Sequence, residues 1–85
     1  MRAFLAEVRI NPRPGLLDPQ GSAVEHALHS LQFQDVEEVR VGRLIRLRVQ
    51  ATSDSAARAQ VEGMCRQLLA NPVTEDYEIS LRRVG

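Results

Sequence analysis

A capped, one-sided helix at residues 18–31 constrains this chain more than any other feature. Asp18 is a good N-cap because its carboxylate can accept an orphan amide of the first turn, and Pro19 is a good first helical residue because its missing donor costs nothing there. Ala23, Val24, Ala27, Leu28 and Leu31 then recur at the spacing of a single helical face, while Glu25, His26, His29 and Ser30 fall away from its centre. An apolar stripe of this kind needs a sheet or a second helix to cover it.

The flanking segments supply strands. Phe4, Ala6, Val8 and Ile10 alternate with Leu5, Glu7 and Arg9, which predicts a strand over Arg2–Ile10 with one face on the core. Asn11-Pro12-Arg13-Pro14-Gly15 stops it and stiffens the path into the Asp18 helix. Beyond the helix, Val39 and Val41 alternate with Glu38 and Arg40, and Ile45, Leu47, Val49 and Ala51 with Arg46, Arg48 and Gln50. Gly42-Arg43 between them suits a tight primed turn, so a hairpin of strands two and three is expected.

Ser53 or Asp54 can cap a second helix, whose stripe is Ala57, Val61, Met64, Cys65, Leu68 and Leu69 and whose end lies near Ala70-Asn71-Pro72. Tyr77, Ile79 and Leu81 mark a fourth strand. The order βαββαβ predicts an α+β fold, a ferredoxin-like sandwich of one antiparallel sheet with two helices on one face, as a single domain over residues 1–85. The uncovered face is then a mixture of charges with Leu5, Val36 and Leu44, three residues suited to a subunit interface.

Composition narrows the function. A chain of 85 residues buries only about 60–65% of its unfolded surface, so oligomerisation would help it. Net charge is zero, and no global field draws it to nucleic acid or acidic membranes. All 11 basic residues are arginine, which excludes a Schiff-base lysine and the lysine of a phosphate loop. The single cysteine, Cys65, forms no internal disulfide, Met1-Arg2-Ala3-Phe4 lacks a signal peptide's apolar core, and no apolar run approaches a membrane span. A cytoplasmic protein is expected, with neither nucleic acid nor membrane as partner.

Candidate chemistry is sparse. His26 and His29 stand three apart on the helix, a spacing that can turn two imidazoles toward one metal with Cys65 as a third ligand, yet Cys65 lies on an apolar stripe where a thiol is ordinarily core. A Cys–His nucleophile lacks an electropositive niche. Asp18 is explained by capping, and Glu75-Asp76 by a solvated loop entering a strand. Gln20-Gly21-Ser22 can offer amides to an anion, but one glycine makes no cradle, and Gly21 is equally explained by close backbone approach. RNA-recognition modules share the βαββαβ order and stack bases on strand aromatics, whereas here Phe4 and Tyr77 fall on the core face and Phe33 in a connection.

The segment Leu17-Asp18-Pro19-Gln20-Gly21-Ser22-Ala23-Val24, followed by His26-Ala27-Leu28-His29-Ser30-Leu31, closely resembles the PurS family, the small subunit of bacterial and archaeal phosphoribosylformylglycinamidine synthase. Asp35–Arg43, Met64–Val73 and Glu75-Asp76-Tyr77 agree in order. The resemblance implies purine biosynthesis, in an assembly converting formylglycinamide ribonucleotide, glutamine and ATP to formylglycinamidine ribonucleotide. It implies a glutaminase subunit releasing ammonia and a large synthetase subunit holding ATP and magnesium. This subunit, with no catalytic, metal or cofactor residue of its own, would join the two and assist ammonia transfer as a homodimer or homotetramer. Gln20, Gly21, His26 and His29 are the candidate subunit contacts. The alternative is a stand-alone small-molecule-binding regulatory module of the same fold. The family's pattern carries lysines that this chain lacks, which changes the salt bridges available to partners.

Overall fold

The computed structural model describes residues 1–84. Strand β1 (Arg2–Pro12) runs between β2 (Arg43–Ala51) and β3 (Glu75–Arg83), antiparallel to both, so the sheet order is β2-β1-β3. Helix α1 (Pro19–Ser30) lies between β1 and β2, and helix α2 (Asp54–Met64) between β2 and β3, its last turn widening into a π-helical turn at Cys65–Leu69.

The alternation in β1 sets the faces. Phe4, Ala6, Val8 and Ile10 are all buried, with Val49 and Ala51 beside them on β2. Ala57, Val61 and Cys65 of α2 and its π turn close over them, with no solvent exposure at all three. Ser53 rather than Asp54 caps α2, its hydroxyl accepting the Ala56 amide at 3.2 Å. Leu5, Glu7 and Arg9 face the other way, aligned with Arg48, Arg46 and Leu44 on one side and Arg82, Ser80 and Glu78 on the other.

β1 passes the expected stop and ends at Pro12, a position where a missing donor is tolerated. The chain then reverses at Arg13-Pro14-Gly15-Leu16, where the Leu16 amide reaches the Arg13 carbonyl at 3.4 Å. Gly15 at φ 84° supplies the left-handed third residue that a type II turn requires.

The α+β class stands, but the strand expected at Val39–Val41, and the hairpin with it, does not form. Its amides are taken by side chains of the preceding helical segment: Val39 donates to Glu25 Oε1 at 3.3 Å and Val41 to Asp18 Oδ2 at 3.0 Å. Glu38 at φ 57° breaks the extended path. Gly42 is not left-handed as a primed turn needs; a Cβ there would collide with the Ile10 carbonyl and Asn11 side chain, so it serves close approach to the end of β1. Val36, Glu38 and Arg40 accordingly lie off the sheet's outer face.

Only α2 packs on the sheet. No side chain of α1 belongs to the core, and the helix makes no substantial packing with any strand or with α2. With residues 31–42 it forms an arm, giving a radius of gyration of 16.5 Å against about 12 Å for a compact chain of this length. The stripe read as a folding face is therefore open: Ala23, Val24, Ala27 and Leu31 are exposed and Leu28 half-buried.

Candidate subunit-contact surface

The arm is held by side chains rather than by a core. Asp18 accepts the Gly21 amide on one carboxylate oxygen at 3.1 Å and the Val41 amide on the other at 3.0 Å, joining the helix start to the returning 36–42 strap. The Val41 amide first, and the Gly21 amide after it, hold its carboxyl below the ordinary carboxylate range. Arg40 donates to the Leu16 carbonyl at 3.0 Å, tying the strap to the chain before the helix.

At the far end, His29 Nε2 donates to the Val36 carbonyl at 2.7 Å and Gln34 Nε2 to the His29 carbonyl at 2.6 Å. The helix stops in a Schellman arrangement, with Gln32 left-handed at φ 79°. Its amide bonds the His29 carbonyl at 3.1 Å, and the Phe33 amide bonds the Leu28 carbonyl at 3.0 Å.

The base of the arm meets the sheet at an arginine clamp. Arg43 grips both oxygens of Glu75 at 2.8 and 3.1 Å and donates to the Leu69 carbonyl at 2.7 Å. Glu75 also accepts the Asn71 amide at 2.8 Å. The Arg43 hydrogen bonds, followed by this amide, keep the Glu75 carboxyl below its usual range.

These bonds divide the four candidate contact residues. Gly21 is buried, and a Cβ there would collide with the Val39 carbonyl and the Asp18 carboxylate, so the residue admits the strap. His29 is half-buried and engaged with Val36. His26 stands exposed on α1, and exposed Gln20 borders a cleft formed with Leu17, Val41 and Arg43. The surface that residue-by-residue reading missed is apolar: Val24 is 41%, Leu31 65% and Phe33 57% exposed. The signal for it was present, since a small chain with two helical stripes has more apolar face than one short sheet covers.

His26, His29 and Cys65 do not converge. Cys65 is buried beneath the sheet-packed π turn, where burial pushes its thiol up from the ordinary value, and His29 is committed to the strap. Among the described residues no group of three His, Cys, Asp or Glu is placed to hold a metal ion. No helix among them is long and apolar enough to cross a membrane.

Comparison with known proteins matches residues 5–83 to the PurS family model, described as phosphoribosylformylglycinamidine (FGAM) synthase. The chain is 41% identical over 81 residues to the Bacillus subtilis phosphoribosylformylglycinamidine synthase subunit PurS, covering 95% of both chains. It superposes on the crystal structure of Methanocaldococcus jannaschii PurS with a TM-score of 0.84 at 35% identity, over 96% of this chain and 99% of that one. A chain of the Thermotoga maritima PurLQS structure matches with a TM-score of 0.86 at 32% identity, over 99% and 100% of the two chains. On this sequence and structural agreement the chain belongs to the PurS family, as the PurS subunit of phosphoribosylformylglycinamidine synthase in purine biosynthesis.

Proposed function

We infer that this subunit performs no step of the reaction itself and acts by joining the glutaminase and synthetase subunits so that ammonia passes between them. The observation that carries this reading is the arm, a helix braced at both ends whose apolar face is left open. Rigid presentation of an unburied stripe suits a docking element, because ordering it in advance lowers the cost of association. ATP and magnesium belong, on this reading, to the synthetase subunit. The Thermotoga maritima PurLQS structure supports the choice of partners.

Self-association is part of the same reading. Each copy carries a helix without a sheet to cover it and a sheet whose core-facing Ile45, Leu47, Ile79 and Leu81 are only half-buried under a single helix. Two copies related by a twofold axis satisfy both deficits by laying each arm on the other's sheet. A homodimer is thus the smallest assembly, and a homotetramer a further pairing of dimers.

Reconstitution tests the function. With all three subunits, synthesis should run from glutamine; without this chain, it should run from added ammonia but not from glutamine. Full glutamine-dependent activity in its absence would overturn the assembly role.

A further inference from the structure

The outer face of the sheet, away from α2, carries a second surface that the arm does not use. Its rows are set by register: Arg48, Leu5 and Arg82 lie side by side across the three strands, with Arg46, Glu7 and Ser80 in the next row. Arg46 is engaged by Glu7 at 2.9 Å, and Arg9 donates to Ser80 at 2.8 Å. Arg48 and Arg82 are exposed, and no carboxylate among the described residues pairs with either. Leu5 lies between them, and beside it runs a groove of about 530 Å³ lined by Leu5, Glu7, Arg46, Ser80 and Arg82, in which Glu7 is already neutralised by Arg46.

We propose that Arg48 and Arg82, flanking Leu5, dock an acidic segment of a partner subunit. The two arginines are separated by two strand spacings, roughly 10 Å between their backbones. Their long side chains can close on carboxylates about 6 Å apart, the spacing of one helical turn, with an apolar residue seated on Leu5. Guanidinium groups favour this use because their planar forks take carboxylates two bonds at a time.

The face selects against the other occupants. It holds four arginines, Arg9, Arg46, Arg48 and Arg82, against the three carboxylates Glu7, Asp76 and Glu78, and the arginines cluster toward the Arg48–Leu5–Arg82 row while Asp76 lies at the far end. Stacking it on the same face of a second copy would double that positive excess without relieving it. A nucleic acid would find no aromatic side chain to stack on and three carboxylates turned against its phosphates.

This inference rests on the assembly role, and one experiment separates the two. Binding of the full chain to the mixed glutaminase and synthetase subunits is measured at 50 and 200 mM salt for wild type, for R48E/R82E, and for R58E/R66E. The last pair makes the same charge change on the other side of the molecule. R48E/R82E should bind about tenfold more weakly at low salt, with a shallower salt dependence and an unchanged circular-dichroism melt, while R58E/R66E binds as wild type. Equal affinity and salt slope in R48E/R82E, or an equal loss in R58E/R66E, would overturn the arginine site. A changed self-association mass in R48E/R82E with unaltered partner binding would assign the face to a second copy, and also overturn it. Failure of the wild-type chain to bind at all would instead overturn the assembly role.

Discussion

Asp18 and Val41 are joined by a 3.0 Å hydrogen bond that spans 23 positions of sequence, from the carboxylate that starts α1 to the amide of the strap returning beneath it. One side chain thereby caps a helix and replaces the ladder partner that Val41 would have had in a strand. An asparagine at this position keeps one acceptor oxygen and presents an amide donor to the second N–H. D18N should therefore lower the melting temperature by on the order of a few degrees, and should expose the Val41 amide to hydrogen exchange. Unchanged exchange at Val41 would contradict the tie.

The same bond predicts a pH dependence. Asp18 has its folded pKa below the ordinary 3.8 because two backbone amides stabilise the charged form. Its contribution is present above the unfolded value and is lost as pH falls through the lower folded value. The gap in melting temperature between wild type and D18N should be constant at neutral pH and should close as pH drops below 3.8. A gap that widens there would reverse the assignment.

Gly21 defines the fit of the strap against α1. Adding a methyl group drives it into the Val39 carbonyl and the Asp18 carboxylate. G21A should cost about 1–3 kcal/mol in chemical denaturation, the usual range for forcing an atom into a closed contact. Its loss of function should follow loss of arm structure rather than loss of a partner contact, since Gly21 is buried.

Much of this was legible in the residues. The β1 alternation, the Asp18 and Ser53 caps and the α2 stripe through Ala57, Val61 and Cys65 lie where periodicity and side-chain chemistry put them, whereas Leu68, expected on that stripe, is 83% exposed because the π turn at Cys65–Leu69 changes the residue spacing. The Val39–Val41 strand was not legible because alternation reports which side chains face inward, not which acceptors the backbone amides find; here Glu25 and Asp18 supply them. The α1 stripe is legible as an apolar helical face, but the expectation that the chain's own fold covers it is not met, since Ala23, Val24, Ala27 and Leu31 are exposed. No pattern within one chain distinguishes a core face from an interface. His29 was legible as a helical histidine off the apolar face, but not as a strap anchor, because its partner is a backbone carbonyl that carries no side-chain signature.

Gln32 offers a gain of stability. It adopts φ 79° to close the Schellman turn, a conformation that glycine enters without its side-chain penalty. Q32G should stabilise the chain by about 0.5–1 kcal/mol in urea unfolding. A loss of stability would show that the Gln32 side chain contributes more than its backbone strain costs.

The open stripe should separate folding from association. Leu31 and Phe33 are 65% and 57% exposed, so L31S/F33S should alter the stability of the single chain by less than about 1 kcal/mol. Sedimentation should nevertheless show a smaller assembly than wild type at equal concentration. An unchanged mass would place the homo-oligomer contact elsewhere.

Synthesis from the two nitrogen sources separates a joining role from a catalytic one. Synthesis is measured with glutaminase and synthetase subunits, with and without this chain, once with glutamine and once with added ammonia. Omitting the chain, or supplying L31S/F33S, should abolish or sharply reduce the glutamine-driven rate and leave the ammonia-driven rate near its full value. Equal loss of both rates would give this subunit a part in the synthetase chemistry, and loss of neither would deny it any part in the assembly.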